Sequence, residues 1–122
     1  MTVNSLSLIP SGTSAVSGSL TPRYEFVTVL NETGVEIFVR TDGQAAVVDA
    51  DLCYAVAPGE RALIANMTPL WDQASTVIPA GSANQWGQWK GGGMANPGTP
   101  VSFIPVVTAT ATTPIVTIQG AG

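Results

Sequence analysis

The spacing of its turns limits what this chain can fold into more than any other feature. Short apolar runs are broken again and again by Gly, Pro, Asn and Asp, and no stretch longer than a turn carries the i, i+3, i+4 spacing of an amphipathic helix. That pattern predicts an all-β fold, a small antiparallel β-sandwich or barrel of about eight short strands.

The clearest part runs from Tyr24 to Pro58. The runs Tyr24–Leu30 and Val35–Arg40 flank Asn31-Glu-Thr-Gly34, and Thr41-Asp42-Gly43 leads on to Gln44–Asp49 and Leu52–Ala57. Val, Ile, Phe and Tyr favour strands, and Gly beside Asn or Asp accepts the positive φ of a tight turn, so successive hairpins are expected here. Pro58-Gly59 suits the centre of a type II turn, with Arg61–Asn66 as the returning strand. Further strands are expected at Pro69–Trp71, Thr76–Ile78, Val101–Val107 and Ile115–Ile118, with Pro105 demoting its strand to an edge or a bulge.

Residues 1–22 read differently, as an extended N-terminal arm ahead of one β domain spanning 23–122. The arm is rich in Ser, Thr and Gly and carries no charge before Arg23, too little to build a core alone. Fully extended it would reach about 70 Å, enough to lie across a neighbouring subunit, and the alternative is that it folds back on its own domain. Its large side chains, Leu6, Leu8 and Ile9, are candidate partner contacts.

Two other places are candidates for contact. Alternation sets Phe38 on a face with Glu36 and Arg40, either as a surface contact or packed under a loop. Residues 82–100 hold Trp86, Trp89 and the run Gly91-Gly92-Gly93 with few aliphatics, which reads as a long loop whose tryptophans anchor a partner or plug one end of the domain.

Composition bears on what such a domain could do. Only 10% of the 122 residues are charged, against roughly 25% in an average soluble protein, so much of the surface is expected to meet other protein. A formal charge of −4, with only Arg23, Arg40, Arg61 and Lys90 as scattered cations, argues against nucleic acid. No apolar run is long enough to span a bilayer, and the N-terminus lacks the pattern of a signal peptide, so synthesis in the cytosol is expected. The lone Cys53 cannot form an internal disulfide and reads as a small strand residue.

Catalytic chemistry is scarce. Without histidine there is no imidazole metal site, Ser-His-Asp triad or Cys-His pair. Asp42, Asp49 and Asp51 lack the spacing of a calcium loop, and the triple glycine follows Lys90 where a phosphate loop would precede its lysine. The chain is expected to be no enzyme and to need no cofactor or metal.

At Ile37-Phe-Val-Arg-Thr-Asp-Gly43, followed by Cys53-Tyr54, Ala57-Pro-Gly-Glu60 and Pro69-Leu-Trp71, the chain resembles small virion structural proteins of tailed bacteriophages. The resemblance implies a compact β domain, often with an extended terminal arm, that assembles on a head or tail without catalysis. It implies a capsid decoration or cementing protein, located in the virion, self-associating and bound to the major capsid protein or other virion proteins. A tail or head-to-tail connector subunit is the second expectation. A carbohydrate-binding sandwich using Trp71, Trp86 and Trp89 as stacking platforms is a third.

Overall fold

The computed structural model describes residues 4–21, 23–68 and 98–121. Among them the fold is all-β, with eight strands: β1 (Ser5–Leu8), β2 (Val16–Leu20), β3 (Phe26–Glu32), β4 (Ile37–Arg40), β5 (Tyr54–Val56), β6 (Arg61–Ala65), β7 (Thr99–Pro105) and β8 (Ile115–Ala121). They form two four-stranded sheets, ordered β1-β8-β3-β6 and β2-β7-β4-β5, with every pairing antiparallel.

The pairing is nested. The first strand pairs with the last, β2 with β7, β3 with β6, and β4 with β5, as in one long hairpin. Two further pairings, β3 with β8 and β4 with β7, roll that hairpin into two sheets. This is the strand order of a jelly roll, which closes a sandwich by winding the chain.

Alternation decides what lies between the sheets. Val27, Val29, Ala62, Ile64, Val116 and Ile118 face inward from one sheet, and Leu20, Ile37, Val39, Val56, Val101 and Phe103 from the other, forming one buried cluster. At about 25 cal/mol per Å² of apolar surface, this cluster supplies most of the driving force for folding.

The arm belongs to this sandwich, which corrects its reading as a separate extension. Residues of β1 pair with β8 and those of β2 with β7, adding an edge strand to each sheet. Leu20 is fully buried, and Leu6, Leu8 and Val16 pack against the core. Gly18 explains how so thin a segment closes one side: a Cβ there would stand 3.0 Å from Leu6 Cδ1 and 3.1 Å from Leu8 Cδ2. Absence of a side chain lets β1 lie over β2.

Two of the expected hairpins are also corrected, while β4 and β5 do pair antiparallel across the connection that begins at Thr41-Asp42-Gly43. Gly34 and Gly59 do adopt positive φ, and the Glu60 N–H donates to the Ala57 carbonyl across the Pro58-Gly59 turn. Yet the strands these turns join lie in opposite sheets, because each turn is a corner of the roll. β7 runs inside its sheet between β2 and β4, with Pro100 and Pro105 confined to its ends, where a missing N–H costs little. Gln44–Asp49 forms no strand; it is part of the loop between β4 and β5. In that loop the Ala46 N–H donates to the Ser102 hydroxyl at 2.9 Å, which holds it over the outer face of β7.

Candidate functional site

The two ends of the sandwich are closed by polar residues that stay inside. At one end Asn31 is fully buried, and its Nδ2 lies 2.8 Å from the Val35 carbonyl and 3.0 Å from that of Val56. At the other end Asn66 Nδ2 donates to the Tyr24 carbonyl at 2.9 Å. These groups are hydrogen-bonded within the fold, which marks them as structural rather than as a binding site. Both stand in an Asn-x-Thr sequence, a repeated signal that turn-based reading of Asn31–Gly34 passes over.

Among the described residues charge offers no reactive cluster either. Arg40 and Asp42 form a bidentate pair, Nε to Oδ1 at 2.6 Å and Nη2 to Oδ2 at 2.8 Å, and Oδ1 also accepts the Gln44 N–H. The Arg40 hydrogen bond holds the Asp42 carboxyl below its ordinary value near 3.8, and the same contact raises the Arg40 pKa. Asp49 and Asp51 are exposed. Among the described residues no three His, Cys, Asp or Glu side chains gather to hold a metal, and no helix is long and apolar enough to cross a membrane.

The distinctive surface is the side of the sandwich where edge strands β5 and β6 lie next to each other. Between them opens a hollow of about 310 Å³, lined by Leu52, Cys53, Tyr54, Leu63, Ala65 and Met67 among others. Its rim is apolar and accessible: Tyr54 is 53% exposed, Leu63 61%, and Leu52 and Met67 more than half. Thr41 also lines it, but its hydroxyl is engaged, donating to the Ala65 carbonyl at 2.7 Å and accepting the Met67 N–H at 3.1 Å. A site with four exposed apolar side chains and no free convergent polar group suits protein contact better than a small polar ligand.

Backbone strain adds to the picture. Asp49 and Leu52 both take positive φ, at 57° and 67°, in successive turns closed by Ala50 N–H to Val47 O and Cys53 N–H to Ala50 O. Asp tolerates this conformation, whereas for Leu it costs about 1–2 kcal/mol. The strained turn holds Leu52 outward on the rim of the hollow.

The residues singled out from sequence fall in different places. Leu6 and Leu8 are half-buried against the core, while Ile9 is 70% exposed at the corner between β1 and β2. Phe38 is only 8% exposed, on the face of β4 opposite the core, where its neighbours across the sheet are Ala55 and Ile104. That burial removes it as a surface contact. Trp71, Trp86 and Trp89 lie outside the described residues. Sequence reasoning missed the β5–β6 side because its residues come from a loop and two strands that only the roll brings together. No family model matches the chain, no curated protein matches its sequence, and no solved structure matches its fold.

Proposed function

We propose that the chain is a non-enzymatic structural subunit of a bacteriophage particle, a decoration or cementing protein that binds the outer surface of the major capsid protein lattice. The observation that carries this reading is the apolar β5–β6 side, with Leu52, Tyr54, Leu63 and Met67 exposed on a domain that has few charges of its own. The resemblance at Ile37–Gly43 and Ala57–Glu60 supports the virion setting. Jelly rolls occur in capsid domains and also in lectins and cupins, so fold analogy alone favours no single function among them. In this reading exposed apolar side chains bridge neighbouring subunits and add contacts that resist pressure from packaged DNA.

The test is the copy number of the protein in purified particles, together with the effect of Tyr54→Asp. Occupancy comparable to that of the major capsid protein, lowered by Tyr54→Asp with thermal unfolding unchanged, supports the reading. A single ring's worth of copies moves the protein to the tail or connector. Its absence from particles overturns the virion setting.

A further inference from the structure

We infer that Asn31 and Asn66 take N-linked oligosaccharide in the unfolded chain alone, so that glycosylation and folding of this protein exclude each other. The inference is independent of what binds the β5–β6 side.

Both asparagines head an Asn-x-Thr triplet, Asn31-Glu32-Thr33 and Asn66-Met67-Thr68, with no proline at the middle position. That triplet is what an oligosaccharyl transferase reads in an extended chain, and an occupied one ordinarily stands on a surface loop. Here the fold takes both triplets inward. Asn31 and Thr33 are fully buried, and Asn66 and Thr68 are each less than a tenth exposed.

The atoms that the transfer needs are the atoms that the fold uses. In the reaction Nδ2 attacks C1 of the first sugar of a lipid-linked oligosaccharide. A new C–N bond replaces the C1–O bond to the lipid diphosphate, which departs, and Nδ2 gives up one proton. Asn31 Nδ2 lies 2.8, 3.0 and 3.2 Å from the carbonyl oxygens of Val35, Val56 and Ala57, so a sugar on it would stand where those carbonyls are. Asn66 Nδ2 donates to the Tyr24 carbonyl at 2.9 Å and lies 3.4 Å from that of Gly98. The hydroxyls are committed as well: Thr33 Oγ1 lies 2.6 Å from Asn31 Oδ1, and Thr68 Oγ1 donates to the Thr41 carbonyl at 2.7 Å. A glycosylated amide keeps one N–H of two, and burial of sugar hydroxyls without partners costs more than the bonds they displace.

Order of synthesis leaves the triplets open. The partners of Asn31 at Val56 and Ala57, and its neighbour in the sheet, Val116, all come later in the chain, as do Gly98 and Thr99 beside Asn66. Neither site is complete before they arrive, so a nascent chain presents both to the transferase. The protein therefore folds productively where no such transferase acts.

The experiment sets the full chain before one transferase in two states. Translated into microsomes behind an added signal peptide, the nascent chain is expected to carry oligosaccharide on Asn31 and Asn66, located by peptide mass mapping, and the modified chain to show no cooperative thermal unfolding. Made in a bacterial cytosol, folded, and then given the solubilised transferase with its lipid-linked oligosaccharide, the chain is expected to react about 1,000-fold more slowly than a peptide of residues 28–36, or slower still, since about 10⁻³ or less of a stable domain is unfolded at any moment. Transfer to the folded chain at a rate near the peptide's, a modified chain that melts like the unmodified one, or a nascent chain modified at neither site overturns the inference. A nascent chain modified at one site only overturns it for the other.

Discussion

Asn31 and Asn66 do the same job at opposite ends of the sandwich. Each accepts, through its side-chain oxygen, the N–H of the threonine two residues on, at 3.0 Å in both cases, and each donates its amide to backbone carbonyls of adjoining segments. The end at Asn31 is the drier one, since Asn31 and Thr33 are fully buried. Asn31→Ala is therefore expected to cost about 3–5 kcal/mol, because it removes a buried amide donor from the carbonyls of Val35, Val56 and Ala57 and the acceptor of the Thr33 N–H and hydroxyl. Asn66→Ala should cost about 1–3 kcal/mol. Urea unfolding of the two variants checks the order, and equal costs would show that the ends are not so different.

Removal of residues 1–22 is expected to abolish folding, because it strips one edge strand from each sheet and uncovers the core at Leu20. The milder Leu20→Ala should cost about 2–5 kcal/mol. Circular dichroism and thermal unfolding distinguish this from a dispensable arm, which would leave the melting temperature where it is.

Phe38→Ala is expected to lower stability by about 3–5 kcal/mol, as for a core phenylalanine, with Phe38→Leu costing far less. A near-neutral Phe38→Ala in chemical unfolding would return this residue to the surface.

The Arg40–Asp42 pair sets a pH dependence. Because the folded state holds Asp42 below its ordinary value near 3.8, the pair stabilises the fold above that value and the contribution is lost as pH falls through the depressed one. Asp42→Asn should therefore melt below wild type at neutral pH, with the gap closing in acid. A gap that widens on acidification would contradict the assignment.

Leu52→Gly should leave stability unchanged or raise it by up to about 1 kcal/mol, since relief of the left-handed strain offsets the greater chain entropy of glycine. Particle occupancy should fall in the same variant, because an exposed rim side chain is gone. Differential scanning calorimetry beside a binding assay reads both, and a large fall in melting temperature would show that Leu52 is held there for folding.

Most strands were legible in the sequence, and their partners were not. β3 to β6, β7 and β8 fall within or across the apolar runs, because β-branched and aromatic residues mark extended chain wherever it lies. Turn chemistry fixed the φ of Gly34 and Gly59 but says nothing of whether the next strand returns to the same sheet, so two corners looked like hairpins. β1 and β2 escaped because their inward positions, Leu6 and Leu8 facing Val16, Gly18 and Leu20, include a glycine whose value lies only in close approach. The apolar side joins Leu52 and Tyr54 to Leu63 and Met67 across opposite sheets, a neighbourhood that no local pattern encodes.

Nested pairing has a consequence for a chain made from its N-terminus onward. Among the described residues β1 finds its strand partner only in β8, so it must wait for a strand that is made much later. During that wait it is an unpaired edge, the kind of segment that sticks to its neighbours when apolar and flat. Serine, threonine and glycine, which make residues 1–22 look too poor to belong to a core, keep it solvated until the roll can close.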